Sequence, residues 1–554
     1  MPRRDEMLQQ LEKPFDLLII GGGITGAGAA RDAARRGLRV GIVEMQDLAY
    51  GTSSRSSKLV HGGLRYLESM EFSLVFEAVS ERRVLMNIAP HLVNPLGFLF
   101  PVYKSSRRGV FTVNLGMWLY DGLSLFRSPK IHRNLSTKEV STVEPMLNRE
   151  DLKGAPLYYD CSTDDARLTL ETALDAAMAG AVIATYTRAV GLTRDGGGRV
   201  TGVRVRDELT GVERELKASA VINATGPWSD RTRALGTGGG KPRLRPTKGI
   251  HIVVDSDRLK PNNAVVCFHP DDGRVLFAIP WRDRTYIGTT DTDYPGDPGE
   301  VAASAEDVRY LLAAANIYFP TAKLVEDDVI ATWAGVRPLI SEEDNGANES
   351  SVSREHVIRV DEDGLITIAG GKLTTYRRMA AEVVDRAVEL LQLTGSLDRR
   401  LRESQTATEP LPGAVGWPEN DDHAAVAAQI RERGGQGMSE ETARLLGDTY
   451  GMRGLDIAES AARDPELAVP LVEGRPEIMA QIDFAVNVEL AATVRDVMIR
   501  RTQLFFRDFD QGLSATDGIA DRMAALLGWS EEQKITEILA YQKEVARSRR
   551  WREG

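Results

Sequence analysis

The chain has 554 residues, more than a single hydrophobic core supports, so two or three domains are expected. Apolar residues make up 42% and charged residues 27%, the balance of a globular protein. The net charge of -11 leaves no basic excess for a phosphate backbone, which argues against nucleic acid as a partner; a small anion needs only a local cluster of Arg and Lys. Two cysteines, Cys161 and Cys267, offer neither a disulfide framework nor CxxC metal spacing, so no metal site is expected and a reducing, cytoplasmic setting fits. The N-terminal MPRRDEMLQQLEKPF lacks the apolar stretch of a signal peptide, and no uninterrupted apolar run is long enough to span a bilayer.

In chain order, FDLLII at 15–20 is a short apolar run ending in glycines and predicts a buried parallel strand. ITGAGAARDAARRG is Ala-rich with a glycine stop at Gly37 and predicts a helix, and LRVGIVE at 38–44 predicts a second strand. Together they form a βαβ unit. Gly21, Gly23 and Gly26 fit G-x-G-x-x-G at its first turn, with Gly22 and Thr25 between them. The first glycine permits the tight turn, the second admits a pyrophosphate to the backbone, and the third lets helix and strand pack closely. The helix start faces the phosphates with free N–H groups. Glu44 closes the second strand and suits the ribose hydroxyls of an adenosine. A dinucleotide follows. Only one such unit is present, and two further glycine-bearing strand ends, VINATGPWS and IAGGKLTT, suit an extended cofactor, which favours FAD over NAD.

Residues 51–67, GTSSRSSKLVHGGLRYL, are rich in Ser, Thr and basic residues and lack any acid. Residues 72–89 predict a helix, as does DDARLTLETALDAAMAG at 164–180. Residues 104–126, KSSRRGVFTVNLGMWLYDGLSLF, join a basic start to an amphipathic stretch, which reads either as an interfacial helix on a lipid surface or as a buried helix. Strand-like alternation at 182–222 surrounds the turn DGGG, and the runs HIVVD, AVVCF, RVLFAIPW and TYIGTTD between 244 and 295 predict a separate, mainly antiparallel sheet. ESQTATEPLPG at 403–413 reads as a linker, and 420–554 is helix-favouring throughout. The fold class is α/β with an α+β substrate domain: a discontinuous Rossmann-type FAD domain over 1–408, substrate-binding insertions at about 91–160 and 244–350, and a helical domain over 409–554.

LIIGGGITGAG, GTSSRSSKLVHGGLRYLE, VINATGPWS, AGVRPL and GGKLTTYRRMA, in this order, resemble the FAD-dependent glycerol-3-phosphate dehydrogenases, respiratory flavoenzymes related to the D-amino-acid oxidase superfamily. The likeness runs from about residue 14 to 400 and extends more loosely to AATVRDVMIRRTQLFF at 491–506. It implies oxidation of glycerol 3-phosphate to dihydroxyacetone phosphate, with hydride passing from C2 to flavin N5 and electrons then passing to membrane quinone. It also implies peripheral association with the inner face of the cell membrane.

A phosphomonoester needs converging cations, and the resemblance points to Arg65, Tyr66, Arg337, Arg354 and Lys372 as lining the substrate site. The hydroxyl proton needs a base. Of seven histidines, His251, in the alternating KGIHIVV, is the candidate, assisted by Lys372 or Arg337, while His61 is assigned to FAD. The same matching assigns Thr52, Ser53, Ser57, Lys58, Leu59 and Gly62 to the flavin and pyrophosphate. It assigns the Val190 backbone to the adenine side, Thr225 and Gly226 to the pyrophosphate end, and Gly371, Lys372, Leu373 and Thr374 to the isoalloxazine end. Alternative readings are a glycerol-3-phosphate oxidase using oxygen, an amine or amino-acid oxidase, and a non-catalytic FAD-binding protein. The residues do not fix the oligomeric state, and a homodimer is compatible with them.

Overall fold

The computed structural model of the chain describes residues 4–63, 70–124, 129–237, 242–341 and 356–554. The strand Phe15–Ile20 pairs in parallel with Val40–Val43 on one side and with Glu213–Asn223 on the other. Val182–Ala184 and Ile366–Gly370 extend the parallel set outward, and His356–Val360 closes one edge antiparallel. Leu17, Leu18 and Ile19 are fully buried, as a strand covered on both faces requires. The helix Ile24–Arg36 crosses between the first two strands and packs beside Asp165–Met178 and Tyr376–Leu393. This is the α/β architecture the glycine motif predicts.

Gly26 is the closest approach in that unit: a Cβ there would lie 1.9 Å from the carbonyl oxygen of Gly21. Gly21 itself has φ 111°, where a side chain is strained, and a Cβ there would lie 2.6 Å from the Ala224 carbonyl oxygen.

A second sheet, mainly antiparallel, is built on Leu244–Asp255, which pairs with Val329–Ile340 on one side and Arg284–Gly288 on the other. Val275–Trp281, Ala264–Phe268, Asn94–Leu99 and Leu152–Ser162 continue it. Alternation divides its faces. Ile250, Ile252 and Val254 pack under the helix Ala305–Tyr318. Val253 and Trp333 face the other way, into a cluster shared with Met498, Leu504, Phe506 and Met523.

The region after residue 420 is helical, as its composition predicts, but only its first half packs on itself. Helices His423–Gly434, Glu440–Tyr450 and Gly454–Arg463 share one small core, whereas segments from about 480 onward complete the core of the antiparallel sheet. The segment read as a linker at 403–413 is also pinned: Arg31 donates to the carbonyls of Thr406 (3.1 Å) and Glu409 (2.7 Å), and Leu411 is fully buried. A buried guanidinium must find acceptors, and here the connecting segment supplies them.

Gly26→Ala should force the first helix off its strand and lower the unfolding free energy by about 1–3 kcal/mol, measurable by denaturant titration. An unchanged transition would mean that the turn yields without cost.

Candidate active site

The dinucleotide turn has no Cβ to obstruct it. The helix Ile24–Arg36 begins after Gly23 with no side-chain cap and no acidic residue in its first turn, which suits an anion at its N-terminus. At Gly22 a Cβ would sit 2.9 Å from Leu48 and 3.0 Å from Glu44, so the turn is a cradle only glycine leaves open. Glu44 is buried, and its two carboxylate oxygens accept from the backbone N–H of Gly22 (2.6 Å) and of Gln46 (3.0 Å). Burial raises its pKa and these two donors oppose the rise. The residues present fit the FAD that the sequence predicts.

From this turn the Ser/Thr-rich loop runs to the second sheet. Ser53 Oγ accepts from the backbone N–H of Ile24 at 2.9 Å. Thr52 Oγ1 donates to the carbonyl of Val336 at 2.6 Å, next to Arg337. Ser57 Oγ shares a hydrogen bond of 2.9 Å with His251 Nε2. Further along, Thr374 Oγ1 accepts from the backbone N–H of His61 (3.1 Å) and donates to its carbonyl (3.2 Å), tying GGKLTT to LVHGG. Gly62 N–H donates to Tyr120 Oη (3.0 Å) and Asp160 Oδ1 (3.2 Å). Lys372 precedes the short turn Leu373–Thr375 that opens the helix Tyr376–Leu393, after Gly370 and Gly371 at φ 75° and 79°. Leu59 is a buried strand residue, and Val190 lies half-buried in Thr187–Arg194. Thr225 Oγ1 donates to Asn223 Oδ1 at 2.7 Å, just before Gly226 at φ 52°.

On the second sheet three registers place Thr247 opposite Arg337, Gly249 opposite Gly335, and His251 opposite Trp333. The two glycines leave a notch. A Cβ on Gly249 would lie 2.5 Å from Arg337 Nη2, and one on Gly335 would lie 2.7 Å from the carbonyl oxygen of Arg55. Arg337 lies along this notch, with Nη1 3.0 Å from Asp291 Oδ1 and Nη2 donating to Thr289 Oγ1 and the Thr290 carbonyl, each at 3.1 Å. The fork is thus fixed in orientation while its side chain stays 23% exposed.

His251 is stacked on Trp333 with ring centroids 4.7 Å apart and planes 14° from parallel. It is buried, and its Nδ1 has no hydrogen-bond partner among the described residues. Burial holds its pKa well below the ordinary value, helped by Arg337 and Lys58. The imidazole is therefore neutral at pH 7, and Ser57 is its hydrogen-bonded route outward.

Lys58, assigned to the cofactor from sequence, has its ammonium 2.6 Å from Asp165 and within 5.4–5.9 Å of the rings of Trp333, Trp281 and Phe506. Its side chain serves the loop's anchoring. Ser56 donates to the same aspartate, and the Ser57 carbonyl accepts from Tyr286 Oη. Sequence reasoning missed Trp333, Asp291 and Asp165. Trp333 was within reach, because it shares the period-2 face of Arg337 in ATWAGVR. Arg65, Tyr66 and Arg354 lie outside the described residues.

In the folded protein burial disfavours a proton on His251 that the unfolded chain takes up readily. Stability should therefore be complete above the ordinary histidine value of 6.5 and fall as pH drops below it, by about 1.4 kcal/mol one unit down. Thermal unfolding at pH 7.5 and 5.5 should show a smaller pH-dependent loss in His251→Asn than in the unmodified chain. Equal losses would assign the acid sensitivity elsewhere.

Residues 16–377 match the family described as FAD dependent oxidoreductase, and residues 404–534 match the C-terminal domain of alpha-glycerophosphate oxidase. The chain is 38% identical over 549 residues to the aerobic glycerol-3-phosphate dehydrogenase of Staphylococcus epidermidis, covering 98% of this chain and 96% of the relative. The Staphylococcus aureus protein of the same name is 39% identical over 536 residues, 96% of this chain and 93% of the relative. Among solved structures, the glycerol-3-phosphate dehydrogenase from Bacillus halodurans complexed with FAD superposes with a TM-score of 0.79 at 34% identity, covering 98% of this chain and 97% of that one. The L-alpha-glycerophosphate oxidase from Mycoplasma pneumoniae, at 20% identity and a TM-score of 0.55 over 72% of this chain and 99% of that one, shares the fold.

Proposed function

Because the chain belongs to the FAD-dependent oxidoreductases, among the aerobic glycerol-3-phosphate dehydrogenases, we propose that it oxidises glycerol 3-phosphate to dihydroxyacetone phosphate. The observation that carries this reading is the loop 51–58, which touches the dinucleotide turn through Ser53 and both Arg337's strand and His251 through Thr52 and Ser57. One short segment joins a cofactor cradle, a cation and a neutral imidazole.

The turn at Gly21–Gly26 and Glu44 would hold FAD, which when bound supplies the hydride acceptor. Arg337, its fork aimed by Asp291 and Thr289, binds the phosphate, and Lys372 adds a second positive charge. His251, neutral in the resting site, is the acceptor for the C2 hydroxyl proton, which reaches Nε2 through the Ser57 hydroxyl. Arg65, Tyr66 and Arg354 complete the substrate site on the strength of the resemblance alone.

Quinone is the acceptor in this reading, reached at the surface of the cell membrane's inner face. On the helix Val110–Leu123 the large apolar side chains Phe111 (81% exposed), Leu115 (62%) and Trp118 (51%) stand in solvent, on one face by their spacing of four and three residues. Exposed Lys104, Arg107 and Arg108 precede them. Such a contiguous patch with a basic margin suits a lipid surface with anionic headgroups. No helix among the described residues is long and apolar enough to cross a membrane. The same helix contributes Tyr120, whose hydroxyl meets the Gly62 N–H, so the patch is tied directly to the loop that leads to the site.

Anaerobic glycerol 3-phosphate should bleach the flavin absorbance of the purified protein, and Arg337→Ala should raise KM about 10–100-fold, the loss of a charge-assisted contact. Bleaching by amines and not by glycerol 3-phosphate would overturn the substrate assignment; an unchanged KM would return Arg337 to structure. A Phe111→Ser, Leu115→Ser, Trp118→Ser triple variant should lose sedimentation with anionic vesicles while its flavin is still reduced by substrate. Full vesicle binding by that variant would refute the surface.

A further inference from the structure

Among the places where the helical region meets the nucleotide-binding domain, one lies buried immediately beyond Glu44. Asp47 is fully buried and accepts from Arg500 Nε, from Arg501 Nη1, and from Arg501 Nη2 at 3.0 Å. Arg501 Nη2 also donates to the Glu489 carbonyl at 2.6 Å, and Arg500 Nη2 to Asp496 Oδ1 at 2.7 Å. The two arginines come from a π-helical turn, Asp496–Arg501, a rare geometry that is frequent at functional sites.

A second strand of the same network passes through Tyr186. Its hydroxyl donates to Asp496 Oδ1 at 2.6 Å, and its backbone N–H donates to the Gln46 carbonyl at 2.8 Å. The next residue, Thr187, donates its N–H to the Glu44 carbonyl at 2.7 Å and opens the strand that carries Val190. Gln46 in turn gives its N–H to Glu44 Oε1. The C-terminal arginines thus hold Asp47, the chain neighbour of the Gln46 whose N–H meets one oxygen of Glu44, and Asp496 holds Tyr186, which bonds the Gln46 carbonyl and precedes the neighbouring strand.

Adhesion alone does not call for this chemistry. A buried ion cluster is commonly no more stable than apolar packing of the same volume, whereas it does specify one geometry. We propose that Asp47, Tyr186, Asp496, Arg500 and Arg501 form a lock that holds the adenosine-side segment around Glu44 in its binding shape, so that the helical region governs retention of FAD. These are positioning residues, and the inference does not depend on the substrate assignment.

The test uses the full-length holoenzyme with Asp47→Asn, Arg500→Lys and the milder Tyr186→Phe, which deletes one hydroxyl. Flavin fluorescence on dilution, and FAD titration of the deflavinated protein, give cofactor affinity directly. Asp47→Asn and Arg500→Lys should weaken FAD binding by about tenfold or more, as loss of supporting contacts behind a ligating group does. Tyr186→Phe should weaken it in the same direction by a smaller factor. Activity lost on dilution should return with excess FAD. If Asp47→Asn does not fold, the other two variants carry the test. Unchanged FAD affinity in the folded variants, with only a lowered unfolding midpoint, would reduce the cluster to a docking contact and overturn the proposal.

Discussion

The proposed catalytic site depends on a loop of eight residues, 51–58, that must touch two sheets at once. Fully extended it spans roughly 27 Å, so the dinucleotide turn and the face bearing His251 cannot separate further than that. Its hydroxyls are directed inward. Thr52, Ser53, Ser56 and Ser57 each bond to a different element: a strand carbonyl, a helix N–H, a buried aspartate and an imidazole. Each such bond is worth about 1 kcal/mol net, but together they fix a segment that would otherwise be entropically costly to order. Lys58 closes the set, its ammonium paired to Asp165 inside an aromatic enclosure.

The other half of the constraint is space. Facing glycines at 249 and 335 strip side chains from adjacent strands, and Arg337 and the Arg55 backbone occupy the volume released. Gly288 does the same for the His251 ring, since a Cβ there would fall 2.1 Å from Cδ2. The ring is then pressed against Trp333, which is backed by Phe506 at 5.6 Å from the C-terminal region. A chain of packed aromatic rings thus runs from the helical region to the imidazole, and burial along it holds that imidazole neutral.

The sequence makes some of this legible and hides the rest for definite reasons. The Rossmann unit is readable because strand, glycines, helix and acid all lie within about thirty residues. The alternation in KGIHIVV assigns His251 to one face, and the same rule applied to ATWAGVR would have placed Trp333 and Arg337 together. Nothing local, however, announces that Lys58 will meet Asp165 or that Asp47 will meet Arg501, 454 positions away. The segment 403–413 reads as a linker from its Pro and polar content, because composition does not reveal that Arg31 needs its carbonyls.

That last point extends to the arginines as a class. A buried guanidinium is tolerable only with carboxylates or carbonyls around it. Arg31 meets Asp175, Arg82 meets Asp160, Arg167 meets Glu489 and Arg507 meets Glu477, with each arginine side chain 5% exposed or less. These are structural cations, and each explains an acid that composition alone leaves anonymous. Arg337 differs in position rather than in type: its carboxylate partner sets the direction of the fork, while the glycine notch and the strand end keep the group within reach of solvent. Orientation by a neighbouring acid with retained access is what an anion-binding cation needs, and it separates this arginine from those that hold the fold together.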